Sequence, residues 1–155
     1  MRILCCGNGH RGDDAAGLLV AARLRELGIA AQILNGEVTE IMEAWRGADS
    51  VILVDAVVTG ARPGTVHAWD GARLNARSIS SASSHGLGVG EAIELGRALG
   101  RLPRKTKIYG IEGVRFAAEA AVSPEVESAA AEVARQIAAL AAAEPATDAR
   151  TRPIG

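Results

Sequence analysis

Residues 2–14 read RILCCGNGHRGDD, and this stretch decides the fold of the chain. The apolar run at positions 3–6 predicts a short buried strand, and the glycine-rich residues that follow predict a sharp turn. Asp13 and Asp14 then open a helical pattern whose apolar side chains recur at helical spacing. Open α/β sheets bind their ligands at such turns, at the carboxyl ends of their strands.

The glycines of this turn fit the G-x-G-x-x-G spacing of dinucleotide-binding proteins. Two carboxylates in the first turn of the helix would, however, repel a pyrophosphate at that helix N-terminus. The acidic residue expected at the end of the second strand is also missing, because that strand ends at Asn35. These carboxylates suit a metal ion or a cationic substrate better. Asp13 is expected to cap the helix, whereas Asp14 has no such default role.

The composition restricts the class of protein. A chain of 155 residues with 48% hydrophobic residues is long enough for one core and short for two. A net charge of −1 and an aromatic content of 3% argue against a nucleic-acid partner or an anionic membrane. No apolar run reaches membrane-spanning length, and the N-terminal run does not resemble a signal peptide. A cytoplasmic location is therefore expected.

The two cysteines, Cys5 and Cys6, are adjacent in the first predicted strand. They point to opposite faces of that strand and cannot easily pair with each other. We therefore expect small buried apolar side chains rather than a thiolate metal site or a nucleophile.

Strand and helix patterns alternate along the rest of the chain. The clearest strand lies at positions 50–57, where a nearly continuous apolar run indicates that both faces are covered, as in a parallel sheet. The alternating pattern at 65–69 predicts an edge strand or hairpin strand. Together the patterns predict a single α/β domain over residues 1–142, with a mostly parallel twisted sheet of about five strands and helices on both faces. Residues 143–155 are expected to form a disordered C-terminal tail.

Two side chains in these elements are expected to have simple roles. His67 lies in the alternating edge strand and is expected to be exposed, with little functional weight. Ser123 precedes Pro124 and is expected to cap the last helix.

Three ligand-type residues follow predicted strands or precede helices. Asp14 follows the first strand, Asp55 lies at the carboxyl end of the 50–57 strand, and His85 lies between a serine-rich loop and a helix. In a parallel sheet these positions can converge on one edge. Two carboxylates and one imidazole suit a divalent transition ion, and three protein ligands leave positions open for water or substrate.

Four motifs, taken in chain order, resemble the nickel–iron hydrogenase maturation proteases, which trim the C-terminus of the hydrogenase large subunit. The first is CGNG at 6–9 with the acid pair at 13–14, and the second is VILVDA at 51–56. SHGLG at 84–88 and IYGIE at 108–112 complete the set. The resemblance spans roughly residues 1–140. The loop between Asn8 and Asp13 is shorter than is usual in the family, which leaves open a divergent member with another substrate.

This resemblance implies a function and a site. The metal-binding positions of the family correspond to Asp14, Asp55 and His85, which we predict to be both the metal ligands and the catalytic residues. They would recognise nickel already loaded in the large-subunit precursor, so the precursor is the expected partner and supplies the metal. Zinc or cadmium could occupy the same ligands. The resemblance does not assign the general base.

Two other functions remain open from the sequence alone. One is a non-catalytic metal- or partner-binding module on the same fold. The other, less favoured, is a nucleotide-binding α/β protein that uses the loop at residues 7–12.

Overall fold

The strand predicted at the N-terminus lies inside a five-stranded sheet. The computed structural model describes residues 1–75 and 88–144, and five strands and four helices lie within them. In chain order these elements are β1 (Arg2–Cys6), α1 (Ala16–Glu26), β2 (Gln32–Leu34), α2 (Val38–Ala44), β3 (Ser50–Val57), β4 (Val66–Asp70), α3 (Val89–Ala98), β5 (Lys105–Glu112) and α4 (Pro124–Ala143).

The strand order in the sheet is β2-β1-β3-β5-β4. Strands β2, β1, β3 and β5 are parallel, and β4 pairs antiparallel with β5 at one edge. The predicted α/β class and the predicted edge strand are therefore confirmed. β2 lies on one side of β1 and β3 lies on the other, so the chain reverses its direction of winding at β1. Such a switch point opens a crevice at the carboxyl ends of the two central strands.

Helices cover both faces of the sheet and form two apolar layers. On one face α1 and α4 pack against the sheet through side chains such as Val20 and Ile137. On the other face α2 and α3 contribute Ile41, Trp45 and Ile93. Seven of the eight residues of β3 are buried, as expected for a strand covered on both sides.

A glycine allows α1 to approach β1 closely. A Cβ atom on Gly17 would lie 2.1 Å from the backbone oxygen of Cys6, which is closer than any side chain can come. The helix therefore begins directly against the end of β1, and this contact fixes the position of the turn before it.

The element boundaries differ from the prediction in small ways. A short 3₁₀ turn, Gly12–Ala15, precedes α1, so the acid pair lies in this turn and not in the helix proper. The last helix extends to Ala143, one residue beyond the predicted end of the domain. Residues 145–155 lie outside the described residues, and the predicted disordered tail stays a prediction. Among the helices of the described ranges, none has the length and apolar character needed to span a membrane.

Candidate active site at the carboxyl edge of the sheet

Asp14 lies in the 3₁₀ turn directly after β1 and is held by the loop that precedes it. Its backbone nitrogen donates to the carbonyl oxygen of Arg11 at 3.1 Å, and its carbonyl oxygen accepts from the backbone nitrogen of Asn8 at 3.1 Å. A Cβ on Gly7 would lie 2.4 Å from that same carbonyl oxygen, so the turn can close only because residue 7 is glycine. The glycine-rich loop thus serves to place an acid.

Asp55 lies in β3, two residues before the end of the strand. It is next to Val54, which pairs with Cys5 of β1, and its own partner across the sheet is Gly110 of β5. One carboxylate oxygen accepts from the backbone nitrogen of Ala56 at 2.8 Å. Asp14 and Asp55 are each only 7% exposed, so both carboxylates are buried at the carboxyl edge.

The Cys6 thiol at the end of β1 lies in an environment that disfavours ionisation. Burial raises the pKa of Cys6 well above its usual range, and the nearby charges of Asp55, Glu40 and Asp14 raise it further. Burial alone raises the pKa of Cys5 to about 12. Neither thiol is therefore activated as a nucleophile, and the prediction of two small buried side chains is confirmed.

Burying carboxylates at one edge of a sheet has an electrostatic cost. Burial raises the pKa of Asp14, and the positive charge of Arg11 only partly opposes this effect. A divalent cation would offset the cost because it stabilises the ionised form of both acids. The Asp14 carboxylate is therefore in an environment that a nearby cation would stabilise.

The third predicted ligand, His85, lies outside the described residues. Within residues 1–75 and 88–144, no group of three His, Cys, Asp or Glu side chains is arranged to hold a metal ion. Asp14 and Asp55 are both buried at the carboxyl edge of the sheet, and the ligand and catalytic roles of Asp14, Asp55 and His85 stay predictions.

Asp13 does not cap its helix, and that expectation was wrong. Its fully buried carboxylate instead accepts four hydrogen bonds, from the backbone nitrogens of Val114, Arg115 and Ser123 and from the Ser123 hydroxyl, at 2.7–2.8 Å. Burial raises the pKa of Asp13, but these hydrogen bonds outweigh it and the net pKa is lowered. Asp13 therefore fastens the loop at 113–123 to the glycine-rich loop.

The Ser123 side chain also contacts Asp13. Helix α4 begins at Pro124 as predicted, but the Ser123 hydroxyl makes no capping hydrogen bond within that helix. It donates to Asp13 at 2.8 Å instead. Gly12 completes the contact, because its φ of +55° and its closeness to the backbone oxygen of Arg115 exclude a side chain.

His67 is not the exposed edge residue that the sequence predicts. Its side chain is 20% exposed, and its Nε2 lies 3.0 Å from Oε1 of Glu112, whose side chain is 2% exposed. In the sequence, Glu112 is the last residue of the IYGIE motif, and in the structure it ends β5. The two residues meet because β4 pairs antiparallel with β5, and no sequence pattern states that register.

The chain is therefore an α/β domain with two buried carboxylates, Asp14 and Asp55, at the carboxyl edge of a mostly parallel sheet. The family model described as hydrogenase maturation protease matches residues 30–140. The chain therefore belongs to the hydrogenase maturation protease family, whose members are hydrolytic endopeptidases. A search of curated protein sequences found no match.

Solved structures of the family share the fold. The [NiFe] hydrogenase maturation protease HybD from Thermococcus kodakarensis is 29% identical over 92% of this chain and 99% of its own, with a TM-score of 0.67. The hydrogenase maturating endopeptidase HybD from E. coli is 26% identical over 92% and 93%, with a TM-score of 0.73. HycI from Thermococcus kodakarensis KOD1 is 27% identical over 90% and 91%, with a TM-score of 0.64.

Proposed function

We propose that this protein is an endopeptidase that removes the C-terminal peptide of a nickel-loaded hydrogenase large-subunit precursor. In this proposal Asp14, Asp55 and His85 bind the nickel that the precursor carries. The observation that supports it most directly is that Asp14 and Asp55 are both buried at the carboxyl edge of the sheet, in a chain that belongs to a family of maturation proteases.

The chemistry of the donors fits this substrate. Carboxylate oxygens and an imidazole nitrogen are ligands that borderline divalent ions accept, and nickel is one of them. A precursor without nickel would leave Asp14 and Asp55 as two like charges in a buried place, whereas a loaded precursor would neutralise them. This difference in binding free energy gives the enzyme a way to reject substrates that are not yet mature.

The proposal includes a compartment and partners. We place the reaction in the cytoplasm, with the large-subunit precursor as partner and with neither nucleic acid nor membrane involved. The net charge of −1 agrees with this, because it provides no general attraction to anionic surfaces.

The test is to incubate the purified protein with nickel-loaded and nickel-free forms of its precursor and to follow the precursor by mass spectrometry. We expect a C-terminal peptide to be lost only from the loaded form, and Asp14→Asn and His85→Ala to abolish the loss. Glu132→Gln is the matched control, because the Glu132 side chain is 46% exposed and accepts hydrogen bonds from Arg135 and Gln136 of the same helix. If a confirmed loaded precursor binds but stays intact, the protein is a binding module and the proposal fails.

A further inference from the structure

The buried pair of Glu112 and His67 has the geometry of an oriented imidazole. Oε1 of Glu112 accepts from Nε2 of His67 at 3.0 Å and from the Thr59 hydroxyl at 2.6 Å. Oε2 accepts from the backbone nitrogens of Thr59 and Gly60 at 2.8 and 3.3 Å. The imidazole also stacks on the Trp69 ring, with centroids 4.9 Å apart and planes 5° from parallel. The ring is therefore held on two sides.

This arrangement fixes which ring nitrogen can accept a proton. Because Nε2 donates to the Glu112 carboxylate, the neutral ring carries its lone pair on Nδ1. Within residues 1–75 and 88–144 no hydrogen bond to Nδ1 of His67 is found. An imidazole backed by a buried carboxylate is the arrangement that hydrolases use to orient a general base.

The pair lies on the same sheet face as Asp55 and in the same row of residues. Gly110 pairs with Asp55 of β3 on one side and with His67 of β4 on the other, so one glycine separates them. Two strand spacings put the Cα atoms of Asp55 and His67 about 10 Å apart. A Cβ on Gly110 would lie 2.6 Å from the Trp69 ring that supports His67.

Several other titratable groups among the described residues are already engaged or exposed. Asp13 accepts four hydrogen bonds, and Glu40 accepts two from the backbone after β2. Burial and nearby carboxylates keep the Cys6 thiol protonated. His10 is exposed in the glycine-rich loop and faces Glu119 at 3.8 Å. The residues proposed to bind nickel would have their donor atoms occupied by the metal. His67 therefore remains as a candidate general base.

We propose that His67 is the general base of the hydrolysis, with Glu112 as the residue that positions its ring; this inference rests on the proposed function. Nδ1 of His67 takes a proton from a water whose oxygen bonds to the scissile carbonyl carbon. The C–N bond then breaks, and the same proton passes from Nδ1 to the leaving amine nitrogen. The products are the new C-terminal carboxylate of the large subunit and the free peptide.

The experiment is a single-turnover assay of wild type and His67→Phe on nickel-loaded precursor across a pH series. Phenylalanine keeps the stack on Trp69 but removes the base and its hydrogen bond to Glu112, so Tm should fall somewhat. Precursor binding should be retained while cleavage slows by about 100-fold or more. The cleavage rate of wild type should fall as the pH is lowered, and His67→Phe should lack this decrease. Within the described residues, Glu112 is the ionisable side chain in contact with the ring.

Glu112→Gln tests the positioning role, with Glu132→Gln as its control. Glutamine keeps a hydrogen-bond acceptor but loses the charge, so the acid limb of the rate profile should move to lower pH while precursor binding is retained. If wild type cleaves and His67→Phe cleaves at the same rate with the same pH profile, the inference about His67 is overturned and the proposed function stands. If wild type cleaves no loaded precursor, the proposed function itself is overturned.

Discussion

At the scale of single residues, neighbouring aspartates have opposite electrostatic environments. Asp13 is surrounded by donors, so hydrogen bonds outweigh burial and its pKa falls. Burial raises the pKa of Asp14, and the nearby charge of Arg11 opposes this only in part. The ionised Asp13 therefore stabilises the fold. The ionised Asp14 lowers the free energy of unfolding, and a bound cation would offset this loss.

Asp13→Asn should lower the free energy of unfolding by about 2–3 kcal/mol, because an amide group would face four donors with one acceptor. Urea unfolding at pH 7 measures this loss. The control is Asp49→Asn, which breaks an exposed ion pair with Arg104 and should cost less than about 1 kcal/mol. Equal losses in the two variants would contradict the role given to Asp13.

The contribution of Asp13 should also depend on pH. Its pKa is lowered in the folded state, so the stabilisation is fully present above the usual value of 3.8 and is lost as pH falls through the folded pKa. The unfolding free energy of wild type, followed from pH 6 downward, should therefore fall more steeply in this acid range than that of Asp13→Asn. Parallel curves would show that Asp13 is not responsible.

Asp14→Asn should have the opposite effect on stability. Its pKa is raised in the folded state, so the ionised side chain costs stability at pH 7, and the cost disappears below the usual value of 3.8. We expect a gain in unfolding free energy at pH 7, together with loss of precursor cleavage. A variant that is less stable than wild type at pH 7 would contradict this electrostatic account.

At the scale of elements, the contact between α1 and β1 determines where Asp14 lies. Gly17→Ala would place a methyl group against the backbone oxygen of Cys6, so the start of the helix must move outward. We expect a loss of about 1–3 kcal/mol in unfolding free energy and weaker metal binding. Gly47→Ala is the control, because its φ of +75° adds strain in open space far from the site. It should leave metal binding unchanged.

The elements themselves could largely be predicted from the sequence. The continuous apolar run of β3 and the alternating pattern of β4 predict these strands, because the burial of a strand determines the periodicity of its apolar side chains. Register and long-range contacts were not predictable in this way. The pair of His67 and Glu112 depends on an antiparallel register between residues 45 positions apart, and the contact of Asp13 with Ser123 spans 110 positions. Local patterns carry no information about either.

At the scale of the whole molecule, metal binding should be coupled to stability. An ion that binds only the folded protein raises the free energy of unfolding by about 2.7 kcal/mol at a hundred times its dissociation constant. Thermal unfolding with added cadmium or zinc should therefore show an increase in Tm that EDTA reverses. Asp14→Asn and Asp55→Asn should lose this increase, and an equal increase in both variants would locate the ion elsewhere.

The Asp13 contact has a consequence for how this family can vary and be engineered. One carboxylate joins the loop at 7–12 to the loop at 113–123, so a change of length in either must be matched in the other. The two loops should therefore be inherited together, with their lengths covarying among relatives. A chimera that exchanges substrate preference between two maturation proteases must transplant both loops as a single unit.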